Sequence, residues 1–380
     1  MIRNIKGQEK AVGILQRALE QNKVANSYLF YGPEGVGKFT TALYLGMAMN
    51  CHSSLDKRPC GICPSCKKFL SFTHPDLIYI FPFPKETGKN DISIDGEIKS
   101  EKTLAEYSEY IKNKTNTPWN EYFFSKNIGI RIASIRMLEH RIKLSPNEGN
   151  FKVCIIEQAD KMTIQASNAF LKTLEEPPED TIIILTTSKP NSLLPTIISR
   201  CQQLPFYPIP KNKIEEMLLS HEAIDIYEAK LLARISNGNM AKALRLMDGG
   251  RIEVREQTLQ FINYVLNNND LKFLELSNQF RTSKNLTQLQ EIISQLIIWL
   301  SDLIYFKHQQ SEITNLDKTE ILEILYTRNP NVENYAPELI NFMEEMLQRL
   351  NGHVNPQLVI IEIYNRFTNT FVRRRSNGKQ

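Results

Sequence analysis

No stretch of this 380-residue chain approaches the about 20 uninterrupted apolar residues that a membrane-spanning helix needs. The N-terminus, Met1-Ile2-Arg3-Asn4-Ile5-Lys6, lacks the apolar run of a secretion signal, so the expected compartment is the cytoplasm, with no membrane partner. Charge of one sign is scarce too. The 46 basic and 42 acidic side chains leave a net charge of only +4, so any contact with nucleic acid has to come from local patches. Arg373-Arg374-Arg375 is one small basic cluster, and it reads as part of a solvated tail over 372–380. Cysteine is sparse, with six in all, yet four crowd together at Cys51, Cys60, Cys63 and Cys66, while Cys154 and Cys201 stand apart. In a reducing compartment such a cluster points to a metal rather than to disulfides. What is present in quantity is ordinary core material, 42% hydrophobic against 23% charged, enough for two or three domains.

Tyr28-Leu29-Phe30-Tyr31 is a short aromatic and apolar run that predicts a buried strand. It leads into Gly32-Pro33-Glu34-Gly35-Val36-Gly37-Lys38, and Phe39 through Met49 has helical composition. Strand, glycine loop and helix form the context of a phosphate-binding loop, in which backbone N–H groups wrap the anion and the lysine reaches the outer phosphates. Gly32, Gly35, Gly37, Lys38 and Thr40 are therefore candidate nucleotide contacts. A hydroxyl is missing, however. Phe39 follows the lysine where a Ser or Thr would ligate magnesium. Thr40 does not replace it, because one helix position turns a side chain by about 100°. Nucleotide binding and a vestigial, purely structural loop both remain open, and efficient hydrolysis is not expected. Ile5-Lys6-Gly7-Gln8, ahead of a helical stripe at Ala11, Val12, Leu15, Ala18 and Leu19, fits either an adenine-flanking segment or plain helix packing.

The cysteine spacing is C-x8-C-x2-C-x2-C. Four thiolates on closely spaced positions suit a tetrahedral structural zinc site. A ferredoxin-type run would continue as x3-C-P, whereas Lys67, Lys68 and Phe69 follow Cys66, and a redox dithiol would need only one pair. His52 and His74 are possible substitute ligands.

Lys152-Val153-Cys154-Ile155-Ile156 predicts a second buried strand that delivers Glu157 and Gln158 to its C-terminal end, where ligands sit in open α/β sheets. Glu157 could reach a metal, but Gln158 cannot act as a base. A helix through Ala166–Leu174 is stopped by Pro177-Pro178. Thr181–Thr186 predicts another strand, with Thr187 and Ser188 at its tip. Pro195-Thr196-Ile197-Ile198-Ser199-Arg200-Cys201 closes the α/β part. Pro84 to Lys126 reads as a polar surface insertion, with a short stripe at Leu104, Tyr107 and Ile111 and possible anchors at Trp119, Tyr122 and Phe123. Ile209-Pro210 opens a small helical lid, and Gly249-Gly250 is a natural linker. Beyond it, Ile292, Leu296, Trp299, Leu300 and Leu303 make one apolar face. Leu339, Met343, Met346, Leu347 and Leu350 make another.

Taken together, the glycine loop, the four cysteines after its helix, Ala166–Pro178 and Ser199-Arg200-Cys201 resemble the bacterial clamp-loader subunits of DNA polymerase III, which are AAA+ proteins. The likeness spans most of residues 1–250 and continues more weakly through Asn355-Pro356-Gln357-Leu358. It is most similar to the delta-prime branch. The gamma/tau branch has a hydroxyl after the lysine, an Asp-Glu pair and a phosphate-sensing arginine, where this chain has Phe39, Glu157-Gln158 and Ala241. The resemblance implies an α/β then all-α architecture. It comprises an AAA+ P-loop parallel-sheet domain over 1–208, with a zinc module at about 51–66 and an insertion at about 84–126. A helical lid over 209–248 and a helical collar over 251–371 follow. It further implies a subunit that hydrolyses no ATP itself, ATP and magnesium at its own site being left open. Arg200 would act in trans as an arginine finger on a neighbour. The implied partners are gamma/tau-like and delta-like subunits in a hetero-pentamer, the sliding clamp, and primed DNA through the complex. The setting would be the nucleoid-associated replication machinery and the DNA-directed DNA polymerase III holoenzyme. The rival readings are an active gamma/tau-type motor ATPase and a zinc-bearing DNA-binding module that acts alone.

Overall fold

A computed structural model describes residues 5–84, 101–116, 128–220, 224, 226–247, 251–282, 285–307, 313–315, 318–350, 352 and 354–372. The arginine cluster at 373–375, Gly249-Gly250, and Trp119, Tyr122 and Phe123 lie outside these residues. Packing divides the chain into two compact units. One gathers residues 1–223 with 236–244, the other 224–235 with 245–380.

The first unit is built on a five-stranded, wholly parallel sheet, order β2-β5-β6-β1-β7. Its strands are β1 (Ser27–Tyr31), β2 (Leu77–Ile80), β5 (Lys152–Ile156), β6 (Thr181–Thr187) and β7 (Gln202–Pro205). Every residue of β5 and β6 is buried, as expected of parallel strands covered on both faces. Register pairs Tyr31 with Thr187 and Ile156 with Leu185, so the tips of β1, β5 and β6 open at one edge of the sheet. On one face lie α5 (Ile132–Ile142), α6 (Ile164–Glu175) and α7 (Pro195–Ile198). They close a core of Leu29, Ile135, Leu138, Ile156, Phe170, Ile183, Leu185 and Ile197. Helix α2 (Lys38–Met49) crosses the other face, and all but one of its residues are buried. Its Gly46 permits close approach, because a Cβ there would lie 2.7 Å from Val153 Cγ1. The strand and helix expectations around Lys38, Val153, Phe170 and Ile183 therefore hold, with boundaries moved by a residue or two. Thr163 caps α6, its side chain accepting from Ala166 N.

The stripe on α1 (Glu9–Glu20) buries Ala11, Val12, Leu15 and Leu19. A short antiparallel pair, β3 (Phe83–Pro84) with β4 (Ile128–Gly129), brackets the insertion, and α4 (Glu101–Asn116) is its described helix. Helix α3 (Pro64–Leu70) follows the cysteine loop, and α8 (Lys211–Leu219) follows Pro210. Cys154 and Cys201 are both buried, and burial pushes each thiol up to about 12.

The second unit is helical among its described residues: α9 (Ile226–Ile235), α11 (Arg251–Leu266), α12 (Asp270–Ser277), α13 (Leu286–Tyr305), α14 (Thr319–Arg328), α15 (Ala336–Leu350) and α16 (Pro356–Phe371). The two apolar faces read from the sequence both enter one core, which also takes in Phe261, Phe273, Ile363 and Phe367. Phe273 and Tyr364 stack with centroids 3.7 Å apart. Asn355 caps α16 through Oδ1, which accepts from Gln357 N at 2.9 Å, and Pro356 fills the first helical turn.

Candidate functional site: a phosphate-type loop closed by its own cation

The glycine loop follows β1 at the open edge of the sheet. Gly35 (φ +65°) and Gly37 (φ +93°) hold left-handed backbone that other residues resist. At Gly32 a Cβ would meet Phe206 O at 2.1 Å, so this position admits no side chain. Lys38 is buried and turns back on the loop, donating to Gly32 O at 2.8 Å and to Pro33 O. Gln8 locks the loop from behind, donating from Nε2 to Val36 O and Tyr207 O and accepting from Tyr207 N. That satisfied, buried amide favours the packing role of the Ile5–Gln8 segment.

Phe39 does more than omit a ligand. Its ring is buried against Phe72 and Tyr79, with centroids 6.0 and 5.1 Å away. The Lys114 ammonium of α4 stands 4.2 Å from its centroid. The same ammonium donates to Glu157 Oε1 at 2.8 Å. Glu157 Oε2 accepts from Tyr110 OH at 3.0 Å and from Tyr79 OH. Burial and the Glu157 charge hold the Tyr79 phenol well above its ordinary pKa, so it stays a donor. Glu157 is thus held by protein donors on both oxygens.

The neighbouring positions follow the same pattern. Gln158 sits in left-handed backbone at φ +50°, its N–H donating to Thr186 Oγ1 at 3.4 Å. Thr187 Oγ1 donates to Asp160 at 2.6 Å, and Ser188 donates to Glu34 of the loop at 3.3 Å. The segment Ser236–Leu244 reaches the loop as well. Met240 N donates to Gly35 O at 2.9 Å, and the Asn239 amide lies where a side chain on Gly35 would be. Ala241 is buried there and brings no charge. Thr40 also lines the cleft. Its hydroxyl is buried and has no hydrogen-bond partner among the described residues.

The cysteines come together as the spacing predicts. The four Sγ atoms lie within 4.8 Å of one another, with Cys60 and Cys66 at 4.0 Å. Tetrahedral zinc with bonds of about 2.3 Å would need sulfurs roughly 3.8 Å apart. Backbone N–H groups of Ser53 and Cys60 point at Cys51 Sγ, that of Cys63 at Cys60, and that of Cys66 at Cys63. Hydrogen bonds from Ser53 and from the backbone of Cys63 and Ile62 bring the Cys60 thiol down to about 5, whereas burial raises Cys66. A donor set of this geometry, with a thiolate already favoured, fits a metal ion and is compatible with structural zinc. His74 is not in the cluster. It accepts from Asp76 N on Nδ1 and bonds Ser65 Oγ through Nε2.

Arg200 follows α7 at the surface. It donates to Thr196 O at 2.9 Å and pairs with Glu175 at 2.6 Å, the two side chains being 33% and 50% exposed. This site is not part of the cleft at Lys38.

The sequence profile of the family described as "DNA polymerase III, delta subunit" matches residues 7–210, more than half of the chain. The chain belongs to this family. The delta' subunit of DNA polymerase III from Bacillus subtilis (strain 168) is 32% identical over 239 residues, covering 63% of the chain and 59% of that protein. The tau subunit of the same organism is 27% identical over 376 residues, covering 93% of the chain and 59% of tau. The chain therefore spans about three fifths of the length of each of these relatives. Among solved structures, a DNA polymerase III gamma subunit-related protein from Thermotoga maritima superposes with a TM-score of 0.43 at 16% identity, covering 94% of this chain and 98% of that one.

The sequence reading of this family member missed Lys114, Tyr110 and Tyr79. Its polar composition places the insertion at the surface, yet Lys114 is buried and Tyr110 packs on Phe81 at 4.0 Å. A signal was available. Tyr107, Tyr110, Ile111 and Lys114 recur at the spacing of one helix face, and the lysine simply continues an aromatic stripe.

Proposed function

We propose that the chain is a delta-prime-like clamp-loader subunit that completes a neighbouring subunit's ATP site in trans and helps load a sliding clamp onto primed DNA. One observation carries the reading: the position for a metal in its own cleft is taken by Phe39 and by the Lys114–Glu157 pair. A carboxylate whose two oxygens are already held by an ammonium and two phenols is a poor ligand for a magnesium ion. Gln158 stands where the resemblance puts the base, and an amide cannot take a proton from water.

Arg200 is the complementary part. An exposed ion pair is worth only about 0.2–1 kcal/mol, so Glu175 can yield the guanidinium to a more highly charged anion at small cost. Beside a γ-phosphate on an adjacent subunit, a fixed guanidinium stabilises charge spreading onto the transferring group, an effect on the order of 10³-fold or more. The partners in this reading are gamma/tau-like and delta-like subunits in a hetero-pentamer within the DNA polymerase III holoenzyme, in the cytoplasm. In this reading residues 251–371, with the helices described among them, form the collar, and residues 209–248 act as the lid. The cysteine cluster holds zinc in a purely structural role, since four protein ligands leave no open position.

The test is Arg200→Ala in a reconstituted loader. The variant should fold and assemble, yet lower clamp-stimulated ATP hydrolysis and clamp loading. Arg200→Lys should rescue only in part, because an ammonium lacks the planar fork. Unchanged hydrolysis and loading would reduce this chain to a scaffold. The tau match over 93% of the chain favours a second reading, an active motor. Magnesium-dependent turnover by the isolated chain, abolished by Lys38→Ala, would establish that reading instead.

A further inference from the structure

We propose that the cleft at Lys38 binds the polyphosphate of a nucleotide without a divalent metal, Lys114 serving as the built-in cation. The inference concerns this chain's own cleft and does not depend on what Arg200 does.

Three observations lead to it. First, the anion-binding half of the cleft is whole. Gly35 and Gly37 hold the loop in its left-handed conformation, α2 runs for 12 residues behind it, and Lys38 lies at the start of that helix. Second, the Thr40 hydroxyl lines the cleft, buried and without a partner among the described residues. A buried hydroxyl without a partner is costly, and a phosphate oxygen would satisfy it. Third, Lys114 lines the same cleft, fixed from two sides by Glu157 at 2.8 Å and by the Phe39 ring at 4.2 Å.

The third observation explains Phe39. In metal-dependent sites the divalent ion bridges phosphate oxygens to a protein carboxylate and cancels their repulsion. Here an ammonium cancels the Glu157 charge, and the ring that removed the metal ligand is the platform on which that ammonium rests. On binding, Lys38 exchanges the carbonyls of Gly32 and Pro33 for phosphate oxygens. An ammonium neutralises charge but cannot lower the pKa of a bound water as a metal does. The site thus retains a nucleotide without hydrolysing it.

The experiment is equilibrium dialysis of radiolabelled ATP against the full chain, in excess MgCl2 and in EDTA. The expected result is saturable binding at one site, with affinities in the two buffers agreeing within about twofold. Inorganic triphosphate should compete in both. Lys114→Met should weaken binding in EDTA by about tenfold or more, and magnesium should then restore part of it, because Glu157 is left uncompensated. Lys114→Arg should keep metal-independent binding, and circular dichroism with thermal melting checks that both variants are folded. If Lys114→Met fails to fold, the wild-type comparison and Lys114→Arg still decide. Four results would overturn the proposal: no saturable binding in either buffer, affinity about tenfold higher with magnesium, binding indifferent to Lys114→Met, or failure of triphosphate to compete.

Discussion

At the scale of single residues, Phe39, Gln158 and Ala241 are legible in the sequence, and on the proposed reading they leave the cleft without a metal-ligating hydroxyl, a base and a charge. We expect the isolated chain to show no ATP turnover above background in a coupled assay. Phe39→Ser alone should not restore it, since Lys114 and Gln158 remain. Lys114 itself was not legible. A lysine in a polar insertion ordinarily points to water, and only the packing of Tyr110, on the same helix, against Phe81 and Tyr79 turns this one inward. Lys114→Ala leaves the Glu157 carboxylate buried without its cation, a change that typically costs about 3–5 kcal/mol, to be read from denaturant unfolding. His74 carries a pH dependence. Burial lowers its pKa from the ordinary 6.5, outweighing the attraction of Asp76. Above 6.5 folded and unfolded chains are both neutral at this position. Below it the unfolded chain takes up a proton that the folded one refuses, so stability falls as pH drops toward the depressed value. Burial also pushes the Asp76 carboxyl up, but N–H donors from Asn147, Gly149 and Glu148 leave it below its ordinary 3.8. Its contribution is therefore lost only in stronger acid. Thermal melts between about pH 7 and pH 5 should slope more steeply for the wild type than for His74→Gln.

At the scale of elements, the cysteine loop was readable from spacing alone, because C-x2-C turns bring sulfurs together whatever surrounds them, whereas α3 was not read. Cys63 also caps α3, its sulfur accepting from Cys66 N, so one residue serves the helix and the cluster. Elemental analysis of protein purified without chelators should find about one zinc per chain. Iron in its place, or no metal, would count against zinc. Cys63→Ser should release the metal and expose α3 to limited proteolysis, with little effect on partner binding. Helix α4 is the contrary case. Its stripe at Leu104, Tyr107 and Ile111 was visible, but not that Tyr107, Tyr110 and Ile111 pack on Phe81 and Phe83 while Leu104 stays exposed, because those partners lie outside the segment.

At the scale of the whole molecule, the parallel sheet and the helical second unit were both visible, since each announces itself by periodicity: continuous apolar strands in one, faces repeating every three to four residues in the other. The division between units was less so. Residues 224–235, which the sequence reading places within the lid over 209–248, pack with the second unit, where Arg234 donates to Thr314 at 3.3 Å. Each unit has a core of its own, so damage should stay local. Phe261→Ala in the second unit should cost about 3–5 kcal/mol there and leave the metal content of the first unchanged.

Cys154 and Cys201, buried and held as thiols to about pH 12, give the chain an internal reference. A thiolate, not a thiol, attacks an alkylating reagent. These two therefore stay silent in the native protein, and every adduct reports on the cluster at Cys51, Cys60, Cys63 and Cys66. Mass spectrometry after brief native alkylation becomes a census of metal occupancy. A fully loaded molecule is unlabelled, a stripped one carries up to four adducts, and denaturation brings either to six.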